Sequence, residues 1–428
     1  MVTAITMTPP QTIKGAKKKW RLVANADAET ARHHYIIGWI EMDKTILGKK
    51  EPFQFYDHVN VLIKPTDGCN LRCKYCFHQD MGYSVKKLEE STLEQFCRIT
   101  FPHYKSISIV WHGGEPTFVG SKPFERYVDI VNQYAAKTGL HLTQIMQTNG
   151  TLLTESFAHI IKTHNIGIGI SYDGPINDIT RGSTAKFLKT NHELKQNLIP
   201  FGTIAVVSGA NVHSLPQLYE HMCSLGRPVQ LNHYVNTAEN APKELNMSAQ
   251  EYIEAMQELF DIWISDENCC IEVDPFARLI RDIYHGRSNL CARSSCMRNW
   301  FCLEASGELT PCDRDFPKEY HYGHVFDYND IRDIYSSDGF LRLMQAAILR
   351  REKCHSTCDV YSLCEGGCNN NALFETGLEN NGGSSCIINK AIIKYVKNWI
   401  MDNDPYHNPD NIINPVVKRL VSQLVNEQ

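Results

Sequence analysis

Three cysteines carry the first chemical signal in this chain. Cys69, Cys73 and Cys76 stand at a C-x3-C-x2-C spacing in the tract Cys69-Asn70-Leu71-Arg72-Cys73-Lys74-Tyr75-Cys76-Phe77. They come shortly after an apolar, strand-like run from Val59 to Ile63. Thiolates this close in sequence can converge on one metal centre, and a cubane iron–sulfur cluster normally takes four. This spacing offers only three, so one iron is left open to bind another molecule. A zinc centre also wants four ligands, and His78 is the one obvious further donor nearby. Buried thiols without a metal are the remaining alternative.

The cysteines are unevenly distributed. Of sixteen, nine crowd between Cys291 and Cys386, while Cys97, Cys223, Cys269 and Cys270 are scattered. In a reducing compartment disulfides are disfavoured, so metal binding or catalysis is the better reason for such a count. Zinc ribbons, built from paired cysteines, are an alternative for the second concentration.

The motif at 69–76 resembles the signature of the radical S-adenosylmethionine (SAM) superfamily, with Tyr75 as the aromatic before the last cysteine. The resemblance implies that SAM chelates the open iron through its amino and carboxylate groups. One electron from the cluster then cleaves SAM to a 5′-deoxyadenosyl radical, which removes a hydrogen atom from the substrate. Trp111-His112-Gly113-Gly114-Glu115-Pro116 resembles the GGEP motif of the same family. Glycines let the backbone approach a ligand closely, and exposed carbonyls with Glu115 can accept hydrogen bonds from an ammonium group. The tracts Gln147-Thr148-Asn149-Gly150 and Ser171-Tyr172-Asp173-Gly174-Pro175 also have counterparts in the family. By that likeness Asn149, Ser171 and Arg181 contact SAM, and Val235 touches the adenine. Arg suits a carboxylate because it forms a bidentate, charge-assisted pair. Asp173 is otherwise read as a turn cap.

From Asp57 to about Gly226, strand and helix signals alternate. Strands are expected at Val59–Lys64, Ser106–His112, Leu142–Thr148, Ile166–Tyr172, Thr203–Val207 and Val229–Val235. Helices are expected between them, the first over Ser91–Cys97 with Ser91 as N-cap. Such alternation implies an α/β fold with a parallel sheet and helical crossovers. Six units are too few for a closed eight-stranded barrel. They fit the open six-stranded (β/α)6 partial TIM barrel of radical SAM enzymes, in which chemistry sits at the C-terminal ends of the strands. Two amphipathic helices follow over 247–285, the first opened by a capping box of Ser248 and Glu251.

The later cysteines resemble the seven-cysteine SPASM extension of peptide- and protein-modifying radical SAM enzymes. Ten residues separate Cys296 from Gly307 and four separate Gly307 from Cys312, then come Cys354, Cys358, Cys364, Cys368 and Cys386. One departure is the three-residue gap between Cys354 and Cys358, where the pattern has two. The resemblance implies two auxiliary clusters, one on Cys296, Cys302, Cys312 and Cys368, the other on Cys354, Cys358, Cys364 and Cys386. With the first, that makes three [4Fe-4S] clusters. Pro311-Cys312-Asp313 resembles a tract of the anaerobic sulfatase-maturating enzymes, in which the aspartate is the proposed general base. A carboxylate beside an electron-rich cluster is expected to have a raised pKa. The alternative is a structural pair with Arg314 or Arg293.

At 428 residues, 43% hydrophobic and 21% charged, the chain has the composition of a globular protein with a sizeable core. Its net charge of −5 offers no basic excess for nucleic acid or anionic membrane. No apolar run approaches the length of a membrane span, and no apolar stretch follows the N-terminal lysines as a secretory signal would require. A cytoplasmic location is expected. The expected organisation is an N-terminal extension over 1–55, a radical SAM core with linker helices over 56–285, a SPASM domain over 286–395 and a helical tail over 396–428. The extension is read as a lid or as a strand-adding surface for a peptide. The expected function is a maturase that oxidises a side chain of a ribosomally made peptide, forming a crosslink. Conversion of Cys or Ser to formylglycine, peptide epimerisation and a non-catalytic electron carrier are the alternatives. The expected partners are a peptide or protein substrate with a leader segment and a flavodoxin or ferredoxin as reductant.

Overall fold

A computed structural model describes residues 56–77, 85–236, 242–288, 290–293, 296 and 299–426. The extension over 1–55 and His78 lie outside the described residues. The chain divides into two units, 1–55 and 56–428.

Six parallel strands in sequence order form the centre of the fold: β1 (His58–Ile63), β2 (Ser106–Trp111), β3 (His141–Thr148), β4 (Gly167–Ser171), β5 (Gly202–Val207) and β6 (Val229–His233). Their registers bring the C-terminal ends together, with Ile63 beside Trp111, Trp111 beside Met146, and Thr148 beside Ile170. In β1 the alternate residues Val59, Val61 and Ile63 are fully buried, which is what a strand covered by helices requires. The crossovers are α1 (Glu90–Thr100), α2 (Ser121–Thr138), α3 (Glu155–Thr163), α4 (Thr184–Gln196) and α5 (Leu215–Leu225). Phe124, Tyr127, Val128, Val131 and Ala135 form the buried stripe of α2 at helical spacing. Trp111 of β2 meets Phe124 edge-on at 5.4 Å, and Phe124 meets Phe157 of α3 at 5.8 Å. This is the open α/β partial barrel expected from the alternating pattern.

The sheet runs on at both edges. β7 (Val273–Asp274) pairs parallel with β6. On the other side β8 (Trp300–Leu303) pairs parallel with β1 from Asn60 to Ile63, and β9 (Glu308–Thr310) and β10 (Gly323–His324) follow antiparallel. The cysteine-rich region therefore continues the barrel sheet. Helices α6 (Ala249–Ile264) and α7 (Phe276–His285) precede it, with α8 (Asp338–Thr357), α9 (Asn369–Glu375), α10 (Ser384–Asn403) and α11 (Pro415–Asn426) beyond. Helix α10 crosses the expected 395/396 boundary without a break. Phe260 of α6 packs edge-on against Phe276 of α7 and against Tyr395 and Trp399 of α10.

The Ser248–Glu251 capping box is present in both directions. Ser91 is not a cap: α1 starts one residue earlier, after Glu89, with no side-chain capping bond. The physical reason lies upstream. The Thr66–Lys87 bridge and the bond from Leu88 N to Pro65 O fix the backbone up to residue 88, so helical geometry begins at once. Asp173 does not cap its turn either; its carboxylate is engaged elsewhere, as described below.

Because β8 completes the pairing of β1, and α10 covers Phe260, a chain ended after Gly286 exposes a sheet edge and an aromatic face together. We expect it to lose its near-ultraviolet circular dichroism and bind a hydrophobic dye. A sharp, cooperative melt of that fragment would contradict the continuity of the two regions.

Candidate active site and thiolate cradles

A cavity of about 240 Å³ opens at the C-terminal ends of the barrel strands. Cys69, Cys73 and Cys76 line one side together with Tyr75. Gly113, Gly114 and Glu115 line it from the loop after β2, Asn149 from β3, Ser171 and Arg181 from β4 and its loop, and Val235 from beyond β6. Of the residues nominated for this site, Pro116 and Asp313 are not on the cavity wall; Pro116 opens the short 3-10 turn behind Glu115.

The cysteine loop is tied down on two sides. Tyr75 donates its hydroxyl hydrogen to Asp173 Oδ2 at 2.7 Å and accepts from an Arg181 guanidinium N–H at 2.7 Å. Asp173 also accepts from Thr180 Oγ1 at 2.6 Å and from Val206 N at 3.0 Å, so one carboxylate joins the loop to β5. Lys74 N bonds Thr180 O at 2.8 Å. Opposite, the Asn149 amide donates to Asn70 Oδ1 at 3.0 Å and approaches Cys69 Sγ at 3.8 Å. Glu115 plays the matching part in the other wall. Its carboxylate accepts from Thr117 N, from Thr148 Oγ1 at 2.6 Å and from Asn149 N at 2.7 Å. It thereby fixes the end of β3 to the glycine loop. A Cβ on Gly114 would stand 2.3 Å from the carbonyl oxygens of Asp67 and Gly68, so only glycine lets this loop lie against the approach to Cys69. Gln147 donates to Ser171 Oγ at 2.9 Å, which sets that hydroxyl's orientation.

Burial raises the Cys69 thiol above its ordinary pKa and pushes Cys73 up to about 11, despite the opposing Arg181 charge. Thiols so placed ionise when a metal centre takes the charge.

The second concentration of cysteines forms two groups. Cys354, Cys358, Cys364, Cys368 and Cys386 line one small cavity between the end of α8 and the start of α10. Cys368 is also the hub of the other group: its field acts on Cys291, Cys296 and Cys312, and Cys291 acts on Cys296. Burial pushes the Cys296 thiol up to about 12. Cys302 lies fully buried in β8, and its thiol faces Glu304 Oε1 at 3.6 Å with Lys64 and Asp313 as its other charged neighbours. It pairs across the strands with Thr310, two residues before Cys312. Cys291, left over by the spacing, also lies within the field of Cys368. Among the described residues no three His, Cys, Asp or Glu side chains are close enough to hold a single metal ion. Two buried donors next to the cradles lack acceptors: the Tyr322 hydroxyl, near Cys296 and Cys312, and the Nε and Nη1 groups of Arg293, near Cys364. Sulfur atoms of a bound cluster would supply them, so the residues present fit such a group.

Residues 63–222 match the model of the radical SAM superfamily. The chain carries a radical SAM domain. Over 335 residues it is 24% identical to a cysteine-type anaerobic sulfatase-maturating enzyme of Clostridium perfringens, covering 72% of this chain and 88% of that enzyme. It is 26% identical over 327 residues to the serine-type enzyme of Klebsiella aerogenes, covering 72% of this chain and 79% of that one. The fold matches native anSMEcpe with bound AdoMet and a Kp18Cys peptide at a TM-score of 0.71 and 23% identity, covering 81% of this chain and 98% of that one. It also matches Streptococcus suis SuiB bound to precursor peptide SuiA at 0.57 and 16%, covering 86% of this chain and 83% of that one.

In the cysteine-rich region, beyond the radical SAM domain, one carboxylate departs from expectation. Burial alone would raise the Asp313 pKa, but His112, Lys64, the Cys312 thiol and Arg314 together hold it well below the usual carboxylate range. Neither expected partner is a bonded one: Arg314 binds Asn371 Oδ1 at 2.6 Å, and Arg293 lies 3.9 Å from Asp282. His112 Nδ1 stands 3.4 Å from Asp313 Oδ2. Lys64 Nζ donates to Asp313 O at 2.8 Å and pairs with Glu304 at 3.0 Å. Sequence reasoning passed over both cations, although a lysine ending a buried strand and a histidine preceding the glycine pair were visible. It also passed over His233, a cavity-wall histidine whose pKa burial and Arg314 lower to about 4.

The crowding at Gly114 yields a test. Gly114→Ala displaces backbone by more than a side chain can absorb, and an ångström of misplacement costs about 10²-fold in rate. We expect that loss in 5′-deoxyadenosine formation, read by chromatography, with iron content unchanged. Near-normal formation would remove the loop from SAM binding.

Proposed function

We propose that the protein is a radical SAM maturase that removes two hydrogens from a side chain of a peptide or protein. The observation that carries the reading is the meeting, on one cavity, of the three motif cysteines, the Gly113–Glu115 loop and Arg181, with Arg314 and Asn370 from the cysteine-rich region forming part of the same wall. A cluster held by Cys69, Cys73 and Cys76 supplies, with SAM, the 5′-deoxyadenosyl radical. In this reading Arg181, Ser171 and Asn149 orient SAM, and Val235 packs on its adenine. Cys296, Cys302, Cys312 and Cys368 hold one auxiliary cluster, and Cys354, Cys358, Cys364 and Cys386 the other. Their role is to take up the electron that oxidation of the substrate releases. Asp313 is ionised at neutral pH, as a proton acceptor must be, and His112 Nδ1 stands 3.4 Å from its carboxylate.

Two bonds are candidates for the product. Oxidation of Cys or Ser to an aldehyde is supported by the curated relatives, which are sulfatase-maturating enzymes. Crosslinking of a ribosomally made peptide is supported by the 55-residue extension ahead of the domain and by the likeness to SuiB bound to its precursor peptide. A flavodoxin or ferredoxin serves as reductant, and the reducing demands of the clusters favour the cytoplasm. No helix among the described residues is long and apolar enough to cross a membrane.

Anaerobic co-production with short peptides, followed by mass spectrometry, tests the reading. Loss of two hydrogens between two side chains establishes crosslinking, and an aldehyde at Cys or Ser in a sulfatase-motif peptide establishes formylglycine formation. Cys73→Ala is expected to abolish SAM cleavage while leaving the C-terminal clusters in place; cleavage at the normal rate would sink the assignment. Asp313→Asn is expected to keep 5′-deoxyadenosine formation but lose at least about 10²-fold in product, the scale of general base catalysis. Equal losses in both would make Asp313 a structural residue only.

A further inference from the structure

Arg350 is among the largest fully buried side chains of the protein, at 1% exposure. A buried charge is costly unless it is paired. Yet every acceptor of Arg350 is neutral: Gly366 O at 3.0 Å, Leu378 O and Asn369 Oδ1. Its charged neighbours are the like-charged Arg351 and three cysteines, Cys354, Cys368 and Cys296. Arg350 and Cys354 are four residues apart on α8 and so share a face. Arg350 also lines the cavity that holds Cys354, Cys358, Cys364, Cys368 and Cys386. The acceptor Asn369 adjoins Cys368, and its amide N–H points back to Cys296 Sγ at 3.8 Å. Because Arg350 occupies Oδ1, the amide is held with its donor end towards sulfur.

We propose that Arg350, acting directly and through Asn369, is a positioning residue that sets the reduction potential of the auxiliary clusters. The inference rests on the proposed presence of clusters in these cradles. Net charge and hydrogen bonds to the sulfurs are the terms by which a protein tunes such potentials. A cluster that gains one electron gains one negative charge, with no bond made or broken. A fixed cation and an N–H donor both stabilise that reduced form, so both raise the potential. Three cysteine thiolates around an otherwise unpaired guanidinium are also the counter-charge that explains its burial.

The test uses the full chain with Cys73→Ala and Cys76→Ala, so that only the auxiliary clusters give a paramagnetic signal on reduction. Potentials are read by an electron paramagnetic resonance redox titration after anaerobic reconstitution, with iron and sulfide measured in parallel. Arg350→Gln is expected to lower a midpoint enough to change the reduced-to-oxidised ratio at fixed poise at least tenfold, which is about 59 mV for one electron. Arg350→Lys, which keeps the charge, is expected to recover most of that shift. Asn369→Asp keeps an acceptor for Arg350, cancels its charge and removes the N–H, so it is expected to shift in the same direction as Arg350→Gln. Full clusters with unmoved midpoints in Arg350→Gln and Asn369→Asp would overturn the proposal. Loss of iron from both would overturn it too, by making the pair a structural brace. Absence of any auxiliary signal before Arg350 is changed would refute the cluster assignment itself.

Discussion

The carboxylate of Asp173 is the constraint on which the active site depends. A loop carrying three metal-binding thiols has little reason to hold one shape by itself, since its residues are short of apolar contacts and burial disfavours the thiolate form. Asp173 resolves this by accepting from Tyr75, Thr180 and Val206 at once. The loop, the segment after β4 and strand β5 are thus joined through two oxygens. Charged hydrogen bonds of this kind are the strong ones, and Asp173 is 1% exposed, so water does not compete. Tyr75 then links two charged groups: its ring side faces Arg181 and its hydroxyl accepts a hydrogen bond from the Arg181 guanidinium. The aromatic position of the motif therefore has a mechanical explanation beyond its likeness to a family.

Glu115 shows the same logic in the opposite wall. From sequence it reads as a ligand group for an ammonium. In the structure its oxygens already hold Thr117, Thr148 and Asn149. Two buried carboxylates thus bind protein on either side of the cavity, while Gly113 and Gly114 lie on its wall, with Gly114 N held by Thr66 O at 3.1 Å. Lys64 extends the arrangement outward. It is kept charged in spite of burial by Cys302, Glu304 and Asp313, and it links the end of β1 to the turn after Cys312. Pairing of β8 with β1 and this lysine together carry the cysteine-rich region into register with the barrel.

How far the sequence could be read follows from which interactions are local. The barrel strands announced themselves through short apolar runs and turn residues, and the α6 capping box through two residues three apart. The cavity residues were legible because each lies at a strand end, where spacing along the chain maps onto position in space. Ser91 failed because the start of α1 is decided by a bridge to Thr66, twenty-five residues earlier. Asp313 failed in sign because its cations, His112 and Lys64, come from other strands.

The three-residue gap between Cys354 and Cys358 shows how a departure from a motif can leave its chemistry intact. From the sequence it looks like an insertion to be absorbed by a loop. In the structure α8 runs through Cys354 to Thr357, and Cys358 is its C-cap, with Cys358 N bonded to Cys354 O at 2.8 Å. The extra residue thus completes a helical turn. On a helix, residues three and four apart both lie on one face, so spacings of two or three intervening residues present both sulfurs on the same side. Cys354 and Cys358 accordingly line one cavity with Cys364 and Cys386. The same turn places Arg350 one step further back on that face. Helix geometry, which tolerates this one-residue change, therefore keeps the thiols and their buried cation together.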